Sequence, residues 1–162
     1  RPRSAIGVMG IRGGREHAAE GLAMITLSDY FMGRDFQYRD LLTPELRANA
    51  ARTVESANAL LILAAGAGVV VHHNKVTGMV RSGWRPPAIN AGTMGASKTS
   101  LHMQCLAVDL EDNNKALGRW CLANADTVLK DLNLWLEHPE ATPSWCHVQL
   151  RPPGSGRRVF RP

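Results

Sequence analysis

The chain has 162 residues, of which 44% are hydrophobic and 20% charged, as in an ordinary globular protein with room for one domain and a real core. Its net charge of +5 comes from arginines near the two ends, so the central part is close to neutral. No apolar run is long enough to span a membrane. The three cysteines argue against a disulfide framework.

The first 23 residues show little apolar periodicity. We predict that residues 1–23 are an extension outside the core and that one domain covers residues 24–162. The short apolar stretch 5–11 holds two glycines and does not read as a convincing secretory signal.

A long helix is predicted next, because Thr43 is a good N-cap, Pro44 suits the first helical position and Glu45 suits the first turn. Apolar residues then recur with helical spacing to about Ala65, and the glycines at 66 and 68 are stop signals.

Short segments make up the rest of the chain. The predicted strands are 69–71, 79–84, 106–110, 134–137 and 145–150, a second helix is predicted at 113–132, and residues 86–99 are predicted to form an ordered loop. This order predicts an α+β fold in which a small antiparallel sheet packs against helices. The arginine-rich segment 151–162 is expected to be a solvated terminus, with non-specific attraction to an anionic polymer as the alternative.

Two histidines and one aspartate are the most informative residues. His102, Asp109 and His147 would supply the three protein ligands that a catalytic zinc uses while a fourth position stays open for water. An extended segment suits His102 and Asp109, and a buried Asp109 would need a partner or a metal. In the alternating segment 145–150, His147 is expected to face a polar cleft while Cys146 faces the core.

A glycine-containing segment at residues 92–99 (GTMGASKT) is one residue away from a phosphate-binding loop. Such a loop follows a buried strand and opens a helix, whereas prolines precede this one. Nucleotide binding is therefore a minor alternative, and the glycines are expected to shape a loop beside the cleft. Nucleic-acid binding is not expected either, because no basic stripe is interleaved with aromatic residues.

The order of several motifs resembles the zinc peptidoglycan peptidases, which include D-alanyl-D-alanine carboxypeptidases and L-alanyl-D-glutamate endopeptidases of phage endolysins. The matching segments are 82–90 (SGWRPPAIN), Ser100-x-His102, 107–109 (AVD), Trp145-x-His147 and the final 152–160 pattern. The resemblance covers roughly residues 24–162 and is greatest for small phage-type members. It implies a zinc site in a cleft on the sheet of the hedgehog/DD-peptidase-like fold.

Carried over by position, the resemblance implies that His102, Asp109 and His147 bind Zn²⁺. Arg85 is implied to bind substrate and to stabilise the developing oxyanion, which suits a guanidinium that can clamp a carboxylate. A structural salt bridge is the alternative role for Arg85. Ser100 is implied to line the site, with a turn-forming serine as its alternative.

The sequence departs from the family pattern at two positions. Cys105 stands where members usually carry glycine, and Ser144 stands where many carry the acidic general base. Glu137 is the best substitute base, because its predicted strand would point it at the cleft. Glu140 is the second choice and Asp131 the third.

The expected activity is hydrolysis of a peptide bond in peptidoglycan stem peptides, and the sequence does not distinguish the carboxypeptidase type from the endopeptidase type. A non-catalytic, zinc-stabilised cell-wall-binding module is the main alternative, favoured by Ser144 and the basic terminus. The protein is expected to be a monomer without a membrane span. It would act at the cell wall by an export route that the sequence does not reveal.

Overall fold

The structure is a computed structural model that describes residues 24–162. The prediction that residues 1–23 form an extension lies outside the described residues. The α-helices are α1 (Leu27–Phe31), α2 (Arg34–Gln37), α3 (Pro44–Gly66), α4 (Pro87–Ala91) and α5 (Ala116–Ala123). The strands are β1 (Val80–Ser82), β2 (Ala107–Glu111), β3 (Trp135–Glu137), β4 (Trp145–Gln149) and β5 (Val159–Phe160).

The five strands form one sheet in the order β1-β2-β4-β3-β5. The β1–β2, β2–β4 and β3–β4 pairs are antiparallel, whereas β5 runs parallel to β3. The prediction of an α+β fold is confirmed. The sheet was predicted to be antiparallel, and this is correct for every pair except β3–β5, which is parallel. Antiparallel neighbours can be joined by short turns, but the parallel pair needs the long connection that carries β4.

The helices cover one face of the sheet and leave the other face for the cleft. Residues of α1, α3 and α5 share one core with the inward-facing strand residues, among them Val108, Leu110, Leu136 and Val148. Because side chains alternate along a strand, the residues between these positions point to the opposite face. The fold therefore has a helical layer on one face of the sheet, and the cleft lies against the opposite face.

Helix α3 begins as predicted. The Thr43 side chain accepts a hydrogen bond from the Leu46 backbone N–H at 3.2 Å, and Pro44 occupies the first turn. The helix ends at Gly66, one of the two glycines expected to stop it. Ala50, Leu60 and Ala64 lie fully buried along it, so α3 is the main helical support of the sheet.

Three predicted elements differ from the structure. Residues 69–71 form no strand, and Val70 is 74% exposed. The predicted helix 113–132 is interrupted at Asn124, since α5 gives way there to a π-helical turn, Ala125–Leu129. The loop 86–99 contains helix α4, which Pro86 and Pro87 start well because proline suits a helix beginning.

Most residues of the C-terminal segment 151–162 are exposed, as expected of a solvated terminus, but the segment also contributes to the sheet. Its residues 159–160 form β5, the edge strand next to β3. Within residues 24–162, no helix is long and apolar enough to cross a membrane.

Candidate metal centre

His102, Asp109 and His147 meet on the face of the sheet opposite the helical layer. One ligand atom from each lies within 4.8 Å of the others, and all three residues are buried. Asp109 Oδ1 lies 2.7 Å from His147 Nδ1 and 3.2 Å from His102 Nε2. Two imidazoles and one carboxylate in this arrangement form a group that can hold a metal ion.

Strand register brings two of these residues together. Asp109 on β2 and His147 on β4 are direct cross-strand partners. Such partners share a face and hold their Cβ atoms about 4.5–5.5 Å apart. The alternation predicted for β4 is confirmed, because His147 faces the cleft and Cys146 lies in the core.

His102 reaches the group from a 3-10 turn, Leu101–Gln104, and not from the extended segment that was expected. The Ser100 hydroxyl accepts a hydrogen bond from the His102 backbone N–H at 3.3 Å and so caps this turn. Cys105 ends it at φ 55°, in the left-handed region. A side chain is disfavoured there and glycine is not, so the departure from the family pattern falls on a position that suits glycine.

Helix α3 holds this turn from below. The Thr53 hydroxyl donates to the Cys105 carbonyl at 2.7 Å, and the Asn49 amide donates to the Gln104 carbonyl at 2.9 Å. Both α3 side chains are buried, so water does not replace these bonds easily. The strained end of the turn is thereby fixed against the longest helix of the fold.

The neighbours of each histidine decide which ring nitrogen faces Asp109. His102 Nδ1 lies 2.8 Å from the Gly83 carbonyl, which can only accept, so Nδ1 carries the proton and Nε2 is directed at Asp109. The Gln149 amide donates to the Arg151 carbonyl at 2.7 Å, which turns its oxygen towards His147 Nε2 at 3.1 Å. Nε2 of His147 therefore carries a proton, and Nδ1 points at Asp109.

The three ionisable groups have unequal proton affinities. Burial lowers the pKa of His102. Burial also acts to lower the pKa of His147, but the hydrogen bond and charge of Asp109 outweigh it and raise that pKa. For Asp109, burial alone would raise the pKa, yet the two histidines hold it well below its usual range. Asp109 is thus the carboxylate of the group, and of the two rings His147 holds its proton more tightly than His102.

The group lies at the floor of a cleft of about 780 Å³. Arg85, Ser100 and Glu137, which were predicted to belong to the site, all line this cleft together with Asp109 and His147. His102 is 1% exposed and lies beneath the surface of the cleft. The sequence-derived site residues therefore converge on one place.

The Arg85 side chain is free to receive a ligand. Its η nitrogen lies 3.4 Å from the Ser100 hydroxyl, and its buried Nε has no hydrogen-bond partner among residues 24–162. No carboxylate of the described residues lies within salt-bridge distance of Arg85. Burial lowers the pKa of Arg85, with Asp109 acting in the opposite direction. The described residues thus offer no support for the alternative structural salt bridge.

Glu137 is the candidate base that the cleft contains. Burial raises the pKa of Glu137, and His147 partly offsets this. Glu140 instead has a 71% exposed side chain that pairs with Arg161, outside the cleft lining. Asp131 and Ser144 are likewise not part of that lining.

Three further residues of the cleft were given no role by the sequence. Arg81 lies over the Trp145 ring at 5.2 Å and pairs with the buried carboxylate of Glu111 at 3.7 Å. Phe160 contacts the edge of the His147 ring from β5. No local sequence pattern predicts the Arg81–Trp145 contact or the Phe160–His147 contact, because each joins segments that are distant along the chain.

Comparisons with protein-family models, with curated proteins and with solved structures gave no match.

The segment 92–99 lacks the setting of a phosphate-binding loop, since it follows the short helix α4 and not a strand. Residues from 93 to 99 instead form one rim of the cleft, as the glycines suggested.

Proposed function

We propose that this chain is a zinc-dependent peptidase that hydrolyses a peptide bond in the stem peptides of peptidoglycan, of the D-Ala-D-Ala carboxypeptidase or the L-Ala-D-Glu endopeptidase type. One observation carries the catalytic part of this proposal. A buried set of three ligands opens onto a cleft that also contains an unpaired guanidinium and a half-buried carboxylate. Structural zinc sites close their coordination with four protein ligands, whereas catalytic sites keep one position open.

The donor set fits zinc in chemistry, and one of its two measured distances fits the spacing of zinc ligands. Nitrogen and oxygen ligands lie about 2.0–2.1 Å from zinc, which places tetrahedral neighbours about 3.3 Å apart. The distance from His102 Nε2 to Asp109 Oδ1 is 3.2 Å and matches this value. The distance from His147 Nδ1 to Asp109 Oδ1 is 2.7 Å, so this pair has to open by about 0.6 Å to share an ion.

When bound there, zinc would supply an activated water and a Lewis acid for the scissile carbonyl. Glu137 accepts the proton of the attacking water and returns it to the leaving amine. The raised pKa of Glu137 suits the first of these steps, because a stronger base captures the proton more readily. Arg85 supplies positive charge where the carbonyl oxygen becomes negative.

Peptidoglycan is proposed as the substrate on the basis of the motif order from Ser82 to Phe160. The cleft adds physical support, since Arg85 lines it without a carboxylate partner among residues 24–162 and stem peptides are rich in carboxylates. This substrate places the site of action at the cell wall.

The experiment uses the full-length protein loaded with one equivalent of zinc and verified by elemental analysis. Purified peptidoglycan is incubated with this protein, with a chelator-treated sample and with His102→Ala, and released amino groups and peptides are quantified by mass spectrometry. We expect cleavage only by the zinc-loaded wild type, and the mass of the fragments identifies the bond.

Each competing function gives a different result. Zinc and peptidoglycan binding without any released amino groups would show the non-catalytic wall-binding module. Binding of ATP that is insensitive to His102→Ala would favour a nucleotide-dependent protein. Equal cleavage after metal removal would contradict the proposal directly.

A further inference from the structure

The strand order arranges the cleft as a series of chemically different positions. Asp109 and His147 lie on the central strands β2 and β4, and Glu137 lies on β3. Arg85 follows the edge strand β1, and Phe160 belongs to the opposite edge strand β5. Since neighbouring strands lie about 4.8 Å apart, β1 and β5 are separated by about 19 Å, enough for several residues of a peptide.

The segment that carries Phe160 is firmly docked. The Leu136 N–H donates to the Arg158 carbonyl at 2.9 Å, and the His138 N–H donates to the Phe160 carbonyl at 2.8 Å. The Arg158 guanidinium lies 4.3 Å from the centre of the Trp135 ring and donates to the Leu134 carbonyl at 3.0 Å. These contacts hold the segment on both sides of β5.

Phe160 presents an apolar surface beside the metal-binding group. Its ring centre lies 6.2 Å from that of His147 with the planes at 86°, an edge-to-face contact. Its neighbour along the strand, Val159, packs against the core, so alternation directs Phe160 to the cleft. Pro152, Pro153 and Pro162 also line the cleft.

The two ends of the cleft therefore differ in chemistry. The β1 end has the cationic groups of Arg81 and Arg85, and the β5 end has the aromatic ring of Phe160. An aromatic surface contributes little hydrogen bonding, so it selects by contact with apolar groups.

We propose that the C-terminal segment 152–162 forms an apolar subsite centred on Phe160, which receives the apolar side chain of a substrate residue next to the scissile bond. This inference rests on the proposed function and deepens it. The substrate lies across the strands, with its carboxylate towards Arg85 and its apolar side chain against Phe160. Phe160 is a specificity-determining residue, and Glu137, its cross-strand partner, lies between it and the metal-binding group.

The test measures binding in the zinc-loaded Glu137→Gln background, in which turnover does not consume the ligands. The probes are N-acetyl-D-Ala-D-Ala and N-acetyl-L-Ala-D-Glu, each compared with analogues in which glycine replaces alanine one position at a time. Calorimetry measures the affinities for three proteins in this background, which carry Phe160, Phe160→Ala or Phe160→Leu. Phe36→Ala is the matched control, because Phe36 is 83% exposed on α2 and does not line the cleft.

With Phe160 present, we expect the better-bound parent peptide to have an affinity about tenfold higher than that of one of its glycine analogues, the usual effect of a methyl group in a fitted pocket. The ratio of these two affinities measures the preference for alanine. Phe160→Ala should reduce this ratio to about twofold or less, whereas Phe160→Leu and Phe36→Ala should largely preserve it. A purely structural role for Phe160 would weaken parent and analogue equally and leave the ratio unchanged, which overturns the proposal. Absence of binding by both parent peptides also overturns it.

The subsite and the proposed function can fail separately. If the wild type cleaves peptidoglycan but its alanine preference survives Phe160→Ala, the subsite is wrong and the activity stands. If no cleavage occurs but the ratio depends on Phe160, the subsite stands and the catalytic function is wrong.

Discussion

The side-chain amide of Gln149 is held in one orientation by the Arg151 carbonyl and thereby fixes the ring of His147. Its nitrogen donates to that carbonyl at 2.7 Å, and its oxygen lies 3.1 Å from His147 Nε2. Because Nε2 donates to this oxygen, Nδ1 is the ring nitrogen directed at Asp109, and it is the atom available to a metal once its own proton has left. Partners of this kind orient metal-binding histidines and raise their affinity.

The first prediction concerns this contact. Gln149→Leu removes the acceptor while keeping a similar volume, so we expect zinc affinity to fall about 10–100-fold. Gln149→Glu is the control, since it keeps an oxygen beside His147 Nε2. Competition with a chromophoric chelator measures both affinities, and an unchanged affinity in the leucine variant would show that Gln149 does not orient His147.

Zinc binding near pH 6.5, the ordinary pKa of histidine, should displace more protons from His147 than from His102. The hydrogen bond and charge of Asp109 raise the pKa of His147, and burial lowers the pKa of His102, so at this pH the first ring is more than half protonated and the second less than half. Since a metal competes only with bound protons, affinity should fall as pH drops through the pKa of His147. Calorimetry in buffers of different ionisation enthalpy counts the protons released per zinc ion. Release of nearly two protons would contradict the inference that the pKa values of the two histidines differ.

Glu137→Gln should retain zinc and lose at least about 10²-fold in turnover, because the amide cannot accept the proton of the attacking water. Glu140→Gln is the matched control and should stay close to wild-type activity, since Glu140 is exposed and pairs with Arg161. Turnover on a defined stem peptide, with zinc content measured in parallel, checks the pair. A strong loss of turnover in Glu140→Gln alone would identify Glu140 as the general base.

The wild-type pH profile offers an independent check of the same residue. Burial raises the pKa of Glu137, and a base works only when deprotonated. Activity on the acid side should therefore rise with pH through a value above the usual glutamate range, and this step should vanish in Glu137→Gln.

Gly83→Ala should destabilise the fold by at least about 2 kcal/mol, the range seen when a packed site is overfilled. A Cβ at Gly83 would lie 1.8 Å from the Tyr30 carbonyl oxygen, so backbone would have to move. Gly66→Ala is the control, because nothing lies within 4 Å of its Cβ position, and it should change stability by less than about 1 kcal/mol. Urea unfolding of the metal-free variants measures both, and zinc affinity should fall only in the Gly83 variant, whose carbonyl orients His102.

Thr53→Val should cost about 1–3 kcal/mol, because it leaves the buried Cys105 carbonyl without its 2.7 Å hydrogen bond. Thr53→Ser keeps the hydroxyl and should cost less. The valine variant should also bind zinc more weakly than the serine variant, since the released turn carries His102. Equal zinc affinity in the two variants would show that this anchor serves stability alone.

Local signals in the sequence were sufficient for part of this structure. The cap at Thr43 and the glycine at 66 predicted α3 because both act within one helical turn. Alternation in residues 145–150 predicted which face of β4 carries His147, because the period of a strand is a local property. The convergence of Arg85 and Ser100 on one cleft was expected from motif order, whereas Glu137 was expected there from the alternation of its predicted strand.

Other features depend on contacts that no local pattern encodes. The two-residue strand β5 exists because β3 offers it backbone partners, and its sequence shows no alternation. The turn at His102 ends at Cys105, whose backbone is in the left-handed region. Sequence analysis normally predicts this conformation from a glycine, and none stands here. Residues 69–71 have strand-forming side chains, but they pair with no strand, and Val69 and Val71 pack against the core instead.

The pairing of Asp109 with His147 also makes metal content a measure of correct folding. A shift of β2 against β4 by one residue would send one of the two side chains into the helical layer and abolish the site. Protein that has collapsed with mispaired strands can still be compact and helical, so bulk spectroscopy would overlook it. Stoichiometric uptake of one ion per chain would then report the fraction of a refolded preparation whose central strands are aligned.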